Sequence, residues 1–194
     1  MKAFLTGGTG FVGTALIKEL LAHGAQVTAT VRTFERAQQL PRGVRAVPAD
    51  ITKPNSIQHA VRGHDVVFHL AAVTRTGVPL KDRERVQRIT VEGTCRVLAA
   101  AVEAGVPRII HVSCASVAAE DLVLETETQR AKQRAQFEVA AEFQRSGAPV
   151  IVACLGTVYG PGDASGLARL MQWQARGRLL VMLGAESKRA FTFV

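Results

Sequence analysis

The sequence predicts an α/β fold: a doubly wound, mostly parallel sheet with helices on both faces. Three observations carry this. Short β-rich runs alternate with longer helical patterns along the chain. The first strand runs straight into glycines that open a helix. There is also no internal repeat and no low-complexity linker, so one domain accounts for the alternation.

Taken in order, the expected strands are Ala3–Thr6, Gln26–Val31, Arg45–Pro48, Val66–Leu70, Arg108–Ser113 and Val150–Leu155. Phe11–Ala22 places Leu16, Leu20 and Leu21, with Val12, on one side at helical spacing. Ser56–Arg62 reads as a short helix stopped by Gly63. Arg85–Ala104 reads as a long one carrying Val86, Ile89, Val97, Leu98 and Val102, ended by Gly105. Thr128–Arg145 is a third long helix, stopped by Gly147. After Gly160 the pattern changes: Pro161 and Gly162 break it, Leu167–Ala175 looks helical, and Leu179–Leu183 reads as a short strand. The chain stops at the apolar AFTFV, from which further chain is expected to follow.

Composition narrows the class. Hydrophobic residues make up 47% and charged residues 21% of 194, ordinary for a globular domain. No apolar run reaches the ~18 residues of a membrane span, and the opening MKAFLTGG is a strand, not a leader. The cytoplasm is therefore the expected compartment, with no membrane partner. Cys95, Cys114 and Cys154 are odd in number and show no CxxC spacing, which argues against a disulfide framework and against a metal site. The net charge of +8 favours anionic partners. Its basic residues are dispersed, however, and aromatics are only 5%, so a nucleic-acid role has the basic charge alone in its support.

Residues 6 to 13 read TGGTGFVG, satisfying both Gly8-x-Gly10-x-x-Gly13 and Gly7-x-x-Gly10-x-x-Gly13. Glycine permits the strand-to-helix turn and lets the backbone approach a diphosphate. The helix starting near Phe11 aims N–H groups and its dipole at that charge. Gly7, Thr9, Gly10, Phe11, Val12 and Gly13 are thus candidate dinucleotide contacts. At the end of the second strand, where an NAD-selecting domain usually carries an acid, stands Arg32, with Arg36 a turn further on. An arginine there pairs with a 2′-phosphate, which favours NADP(H) over NAD(H). The plainer alternative is a surface arginine that ends a strand.

With the later motifs, the chain resembles the extended short-chain dehydrogenase/reductase family, in its dihydroflavonol-reductase-like and epimerase/dehydratase branches. The resemblance implies a Rossmann domain over residues 1–160 and the start of a substrate lobe over 161–194. It places Asp50-Ile51 against an adenine and lays the backbone of Leu70-Ala71-Ala72, in His69-Leu70-Ala71-Ala72, along the cofactor. Val91-Glu92-Gly93-Thr94 resembles the NVxGT segment, with Thr90 in place of Asn. Tyr159-Gly160-Pro161-Gly162-Asp163 resembles the VYGPGD stretch, although Cys154-Leu155 replaces the Arg-Pro pair before it. Family members are commonly longer, with a carboxyl-terminal lobe over the substrate.

The resemblance also implies a Ser, Tyr and Lys that move a proton to or from a carbonyl oxygen, and here the sequence departs. Thr128-Gln129-Arg130-Ala131-Lys132 stands on YxxxK. Lys132 is present and is assigned to the ribose and to proton transfer, but Thr128 holds the tyrosine position, and an alkyl hydroxyl is far too weak an acid to replace a phenol. The serine position falls on Cys114, with Ser113 or Ser116 as shifted replacements, and Ser113 is also counted among the expected cofactor contacts. Tyr159 belongs to another motif. His69 and His111 read as interior histidines. Two readings stay open: an atypical oxidoreductase that moves its proton through Cys114, Lys132 or water, and a cofactor-binding module without chemistry. The expected partners are a nicotinamide dinucleotide, an unidentified small-molecule substrate, and a second copy of the chain through the helices near Arg85–Ala104 and Thr128–Arg145.

Overall fold

The computed structural model describes residues 1–74, 80–118, 126–164, 166–178 and 191–194. Strands β1 (Lys2–Thr6), β2 (Gln26–Val31), β3 (Arg45–Pro48), β4 (Val66–His69), β5 (Ile109–Cys114) and β6 (Val150–Leu155) form one sheet in the order β3-β2-β1-β4-β5-β6. Every pairing in it is parallel. All six expected strands are present, shifted by a residue at most. Strand order reverses between β1 and β4, which is where open α/β sheets of this winding leave a crevice for ligands.

Both faces of the sheet are covered. On one, helix α1 (Phe11–Ala22) sends Ile17 and Leu20 onto Ala3, Leu5, Val27 and Ala29. On the other, Phe4, Val67 and Ile109 pack against Val97 and Leu98. Each such side chain removed from water contributes about 1.5–3 kcal/mol, so strand alternation alone orders the two layers. A one-turn helix, α2 (Phe34–Ala37), follows β2, with the Thr33 hydroxyl accepting from the Arg36 amide at 3.4 Å.

The expected helix over Ser56–Arg62 is absent. That stretch forms turns with a single helical hydrogen bond, Val61 N to Ile57 O at 3.0 Å. Seven residues are too few to offset helix nucleation on their own, and burial of Ile57 and Val61 holds the segment without it.

The two long helices are longer and less regular than expected. Helix α3 (Arg83–Gln87) passes through a π-turn at Arg88–Glu92 into α4 (Gly93–Glu103). Gly105, at φ 68°, closes α4: its amide donates to Val102 O and the Val106 amide to Ala101 O. Helix α5 (Glu127–Arg134) likewise passes through a π-turn at Ala135–Ala140 into α6 (Ala141–Arg145). It begins at a capping box in which Thr126 and Gln129 bond each other's backbone N–H. Glu127 accepts from Arg83 at 3.0 Å and from Arg130 at 2.6 Å, tying α5 to α3.

Beyond β6, strand β7 (Thr157–Tyr159) pairs in parallel with β8 (Phe191–Phe193) as a separate two-stranded sheet. Helix α7 (Gly166–Ala175) matches the expected one. The expected strand Leu179–Leu183 lies outside the described residues. Among the described residues, no helix is long and apolar enough to cross a membrane, and no group of three or more His, Cys, Asp or Glu could hold a metal ion.

Candidate functional site

The glycine loop joins β1 to α1 at the strand-order reversal. Gly7 adopts φ 77°, which a side chain resists, and a Cβ there would lie 2.8 Å from the Ala71 amide nitrogen. The loops after β1 and β4 therefore touch backbone to backbone. Gly13 is buried, and a Cβ on it would press into the Gly7 carbonyl and sit 2.9 Å from Gly8 Cα. These two glycines close the loop onto its helix.

Gly10 is different: exposed and extended, at φ −78°. It caps α1 without a side-chain hydrogen bond, and the first turn carries no acid. The N–H groups of Phe11, Val12 and Gly13 have no acceptor within the helix. Phe11, Val12 and Thr9 are half-buried around this mouth. The cradle thus combines bare backbone, a helix dipole and room at Gly10, which fits a diphosphate.

Along the rim, Arg32 is exposed immediately after β2. Asp50 follows β3 and takes the amide and hydroxyl of Thr52 on Oδ1 at 2.9 and 2.8 Å. Burial works against its charge, but the Thr52 bonds, with Arg32 and Lys53 nearby, outweigh it and hold the carboxyl below its usual range. Ile51 is buried and packs on α4, where a Cβ on Gly93 would come within 2.8 Å of its Cδ1. Leu70, Ala71 and Ala72 are half-buried beyond β4.

Behind the crevice runs a buried polar seam. Thr94 donates its one hydroxyl hydrogen to Thr90 O at 2.6 Å, so it must accept from His69 Nε2 at 2.9 Å. His69 Nδ1 then accepts from Thr6 Oγ1 at 2.6 Å. Thr6 in turn accepts from the Ala71 amide at 3.4 Å. The chain of donors assigns one tautomer to His69 and links the π-turn of α3–α4 to the loop against Gly7. Burial, then the neighbouring His111, keeps His69 neutral far below its ordinary range. His111 stacks on it at 5.4 Å, and its own Nδ1 is buried without a hydrogen-bond partner. Burial and the Lys132 charge push the His111 pKa down to about 4.

The residues expected to carry chemistry divide into two groups. Cys114 is half-buried at the end of β5, with Lys132 Nζ 3.9 Å and Ser116 Oγ 3.2 Å from its sulfur. Ser113 points the other way: it is buried and donates to Gln136 Oε1 at 2.7 Å, as strand alternation requires of Cys114's neighbour. Thr128 is 5% exposed, inside the helix layer. Tyr159 packs edge-on against Phe191 and Phe193 in the small sheet. All three cysteines are free thiols.

Thr6 and Gln136 are members of this neighbourhood that sequence reasoning passed over. Gln136 offered one signal, its i,i+4 spacing from Lys132. Thr6 offered none before its 63-residue pairing with His69 was seen.

Comparison with known proteins agrees with this architecture. The chain is 36% identical over 140 residues to a putative dihydroflavonol 4-reductase of Synechocystis, which covers 70% of this chain and 38% of that one. It is 29% identical over 208 residues to a 2-alkyl-3-oxoalkanoate reductase of Stenotrophomonas maltophilia, covering 100% of this chain and 62% of the relative. The chain thus spans less than two thirds of these relatives' length. Among solved structures, MoeE5 in complex with UDP-glucose and NAD superposes with a TM-score of 0.77 at 29% identity, over 100% of this chain and 68% of that one. The profile of the NAD dependent epimerase/dehydratase family matches residues 3–194, and the chain belongs to that family.

Proposed function

We propose that this chain is the NADP(H)-binding part of an atypical oxidoreductase acting on a small carbonyl or alcohol compound. The observation that carries it is the uncapped, acid-free start of α1, opening at Gly10 beside the strand-order reversal. Phe11, Val12 and Gly13 would hold the diphosphate, Arg32 a 2′-phosphate, Asp50 and Ile51 the adenosine side, Leu70, Ala71 and Ala72 the far wall, and Lys132 the ribose. A bound nicotinamide supplies or accepts the hydride. What the chain adds is orientation and a proton, and Cys114, Ser116 and Lys132 are its groups at the mouth of β5.

MoeE5 holds NAD, so the preference for the phosphorylated cofactor rests on Arg32. Arg32→Ala is expected to weaken NADPH about 10- to 100-fold, the worth of one or two charge-assisted hydrogen bonds. NADH affinity should barely move. Fluorescence titration of both nucleotides checks this, and tighter NADH binding by the parent would remove the preference.

One observation favours the non-catalytic reading: Thr128 is buried where a phenol would have to reach the substrate. Thr128→Tyr separates the two. If the lost phenol limits turnover, rates on a panel of simple carbonyls should rise on the order of 100-fold, the lower end of general-acid effects. No gain means that the substrate pocket itself is missing. A homodimer formed through α4, which leaves Cys95 and Val102 at its surface, fits the same reading.

A further inference from the structure

We propose that Cys114, Ser116 and Lys132 form a covalent capture site for aldehydes, with Cys114 as the nucleophile. The inference deepens the carbonyl reading above and rests on it. Cys114 stands at the carboxyl end of β5, the end of a parallel sheet where ligands sit. Its neighbours give the hydrogens a path. An ammonium only donates, so the sulfur accepts from Lys132 Nζ at 3.9 Å. With the thiol as donor, the Sγ–Oγ contact of 3.2 Å carries its hydrogen to Ser116 Oγ. Ser116 is exposed and has its own hydrogen left to give outward.

The remaining hydroxyls of the cluster do not compete. Ser113 is committed to Gln136, and Thr128 is buried. A thiol is also a far stronger nucleophile than either. In the capture step, Cys114 Sγ attacks the carbonyl carbon, an S–C bond forms, and the C=O π pair moves onto oxygen. The thiol hydrogen passes to Ser116 Oγ while the Ser116 hydrogen passes to that oxygen. Lys132 stabilises the charge that develops there. The product is a hemithioacetal; nothing is oxidised or reduced, and no further reactant enters. Aldehydes suit this step better than ketones, whose second carbon substituent crowds the tetrahedral carbon.

The test uses the full chain, free of nucleotide, with propanal carrying 13C at its carbonyl carbon. Carbon NMR is expected to show one equivalent of a protein-bound, sulfur-bearing tetrahedral carbon. The signal should vanish in Cys114→Ser and survive in Cys95→Ser and Cys154→Ser. In Ser116→Ala it should appear on the order of 100-fold more slowly, for loss of the proton relay. A signal that persists in Cys114→Ser, or none in the parent, overturns the proposal. NADPH titration of the same samples keeps the two readings apart. Nucleotide binding without an adduct defeats the capture site alone, whereas an adduct without nucleotide binding upholds the thiol and defeats the cofactor.

Discussion

Gly13→Ala is expected to destabilise the chain by about 3 kcal/mol, the upper range for overpacking a tight interior, and to abolish nucleotide binding. The new methyl group would meet the Gly7 carbonyl and Gly8 Cα, both backbone atoms. Neither can retreat by rotating a side chain, so the loop must lift from α1. Gly10→Ala makes the informative partner. Its φ suits any residue, and its Cβ would lie 3.2 Å from the Gly7 oxygen. There the methyl group projects from an exposed position, so affinity should fall while the urea midpoint hardly changes. Chemical unfolding with nucleotide titration reads both quantities. A Gly13→Ala protein that unfolds and binds like its parent would mean that the loop is not packed as described.

Acid should unfold this protein early. His111 titrates near pH 4 in the folded chain because it is buried and faces the Lys132 charge, against about 6.5 when unfolded. Its contribution is therefore complete above pH 6.5 and is lost as pH falls toward 4, since the unfolded chain binds the proton first. Over that window the loss approaches about 3 kcal/mol. His69 shifts in the same direction, from burial and then from His111. Protonating it would also place a hydrogen on Nδ1, where it now accepts from Thr6. Urea unfolding at pH 7.5, 6.5, 5.5 and 5.0 reads the slope before most carboxylates titrate. His111→Phe keeps a ring against His69 and removes the unpartnered nitrogen, so it should lessen the slope to the His69 share and leave stability above pH 7 nearly unchanged. A parent whose stability is level from pH 7.5 to 5.0 would refute the argument.

Much of the architecture was legible because parallel strands buried on both faces appear as plain apolar runs. IIHVS betrays β5 in this way; VIVACL shows β6 by its β-branched run although, as the edge strand, it leaves Ile151 exposed; and Gly105 and Gly147 mark where long helices stop. The π-turns at Arg88–Glu92 and Ala135–Ala140 left no such trace. An extra residue in a turn changes neither composition nor spacing enough to notice. Ser56–Arg62 misled in the opposite sense, since Ile57 and Val61 have helical spacing in a segment that only turns. In the candidate site, the glycines could be read locally, because a tight strand-to-helix turn needs that residue type. The seam through Thr6, His69 and Thr94 could not, because each bond joins residues from different strands and helices. Ser113 was read as a shifted replacement beside Cys114, and the strand's alternation turns the two toward different surroundings.

The placement of β1 in the interior of the sheet has a bearing on how the protein is made. Lys2 to Thr6 leave the ribosome well before Val66 to His69, so one flank of that strand waits unpaired until they follow. Until then the glycine turn has no opposing backbone at Ala71 to shape it. Contacts of such sequence separation form late and slowly. A nascent chain should therefore acquire its grip on a nucleotide abruptly, when the fourth strand docks, rather than by gradual improvement as the loop itself emerges.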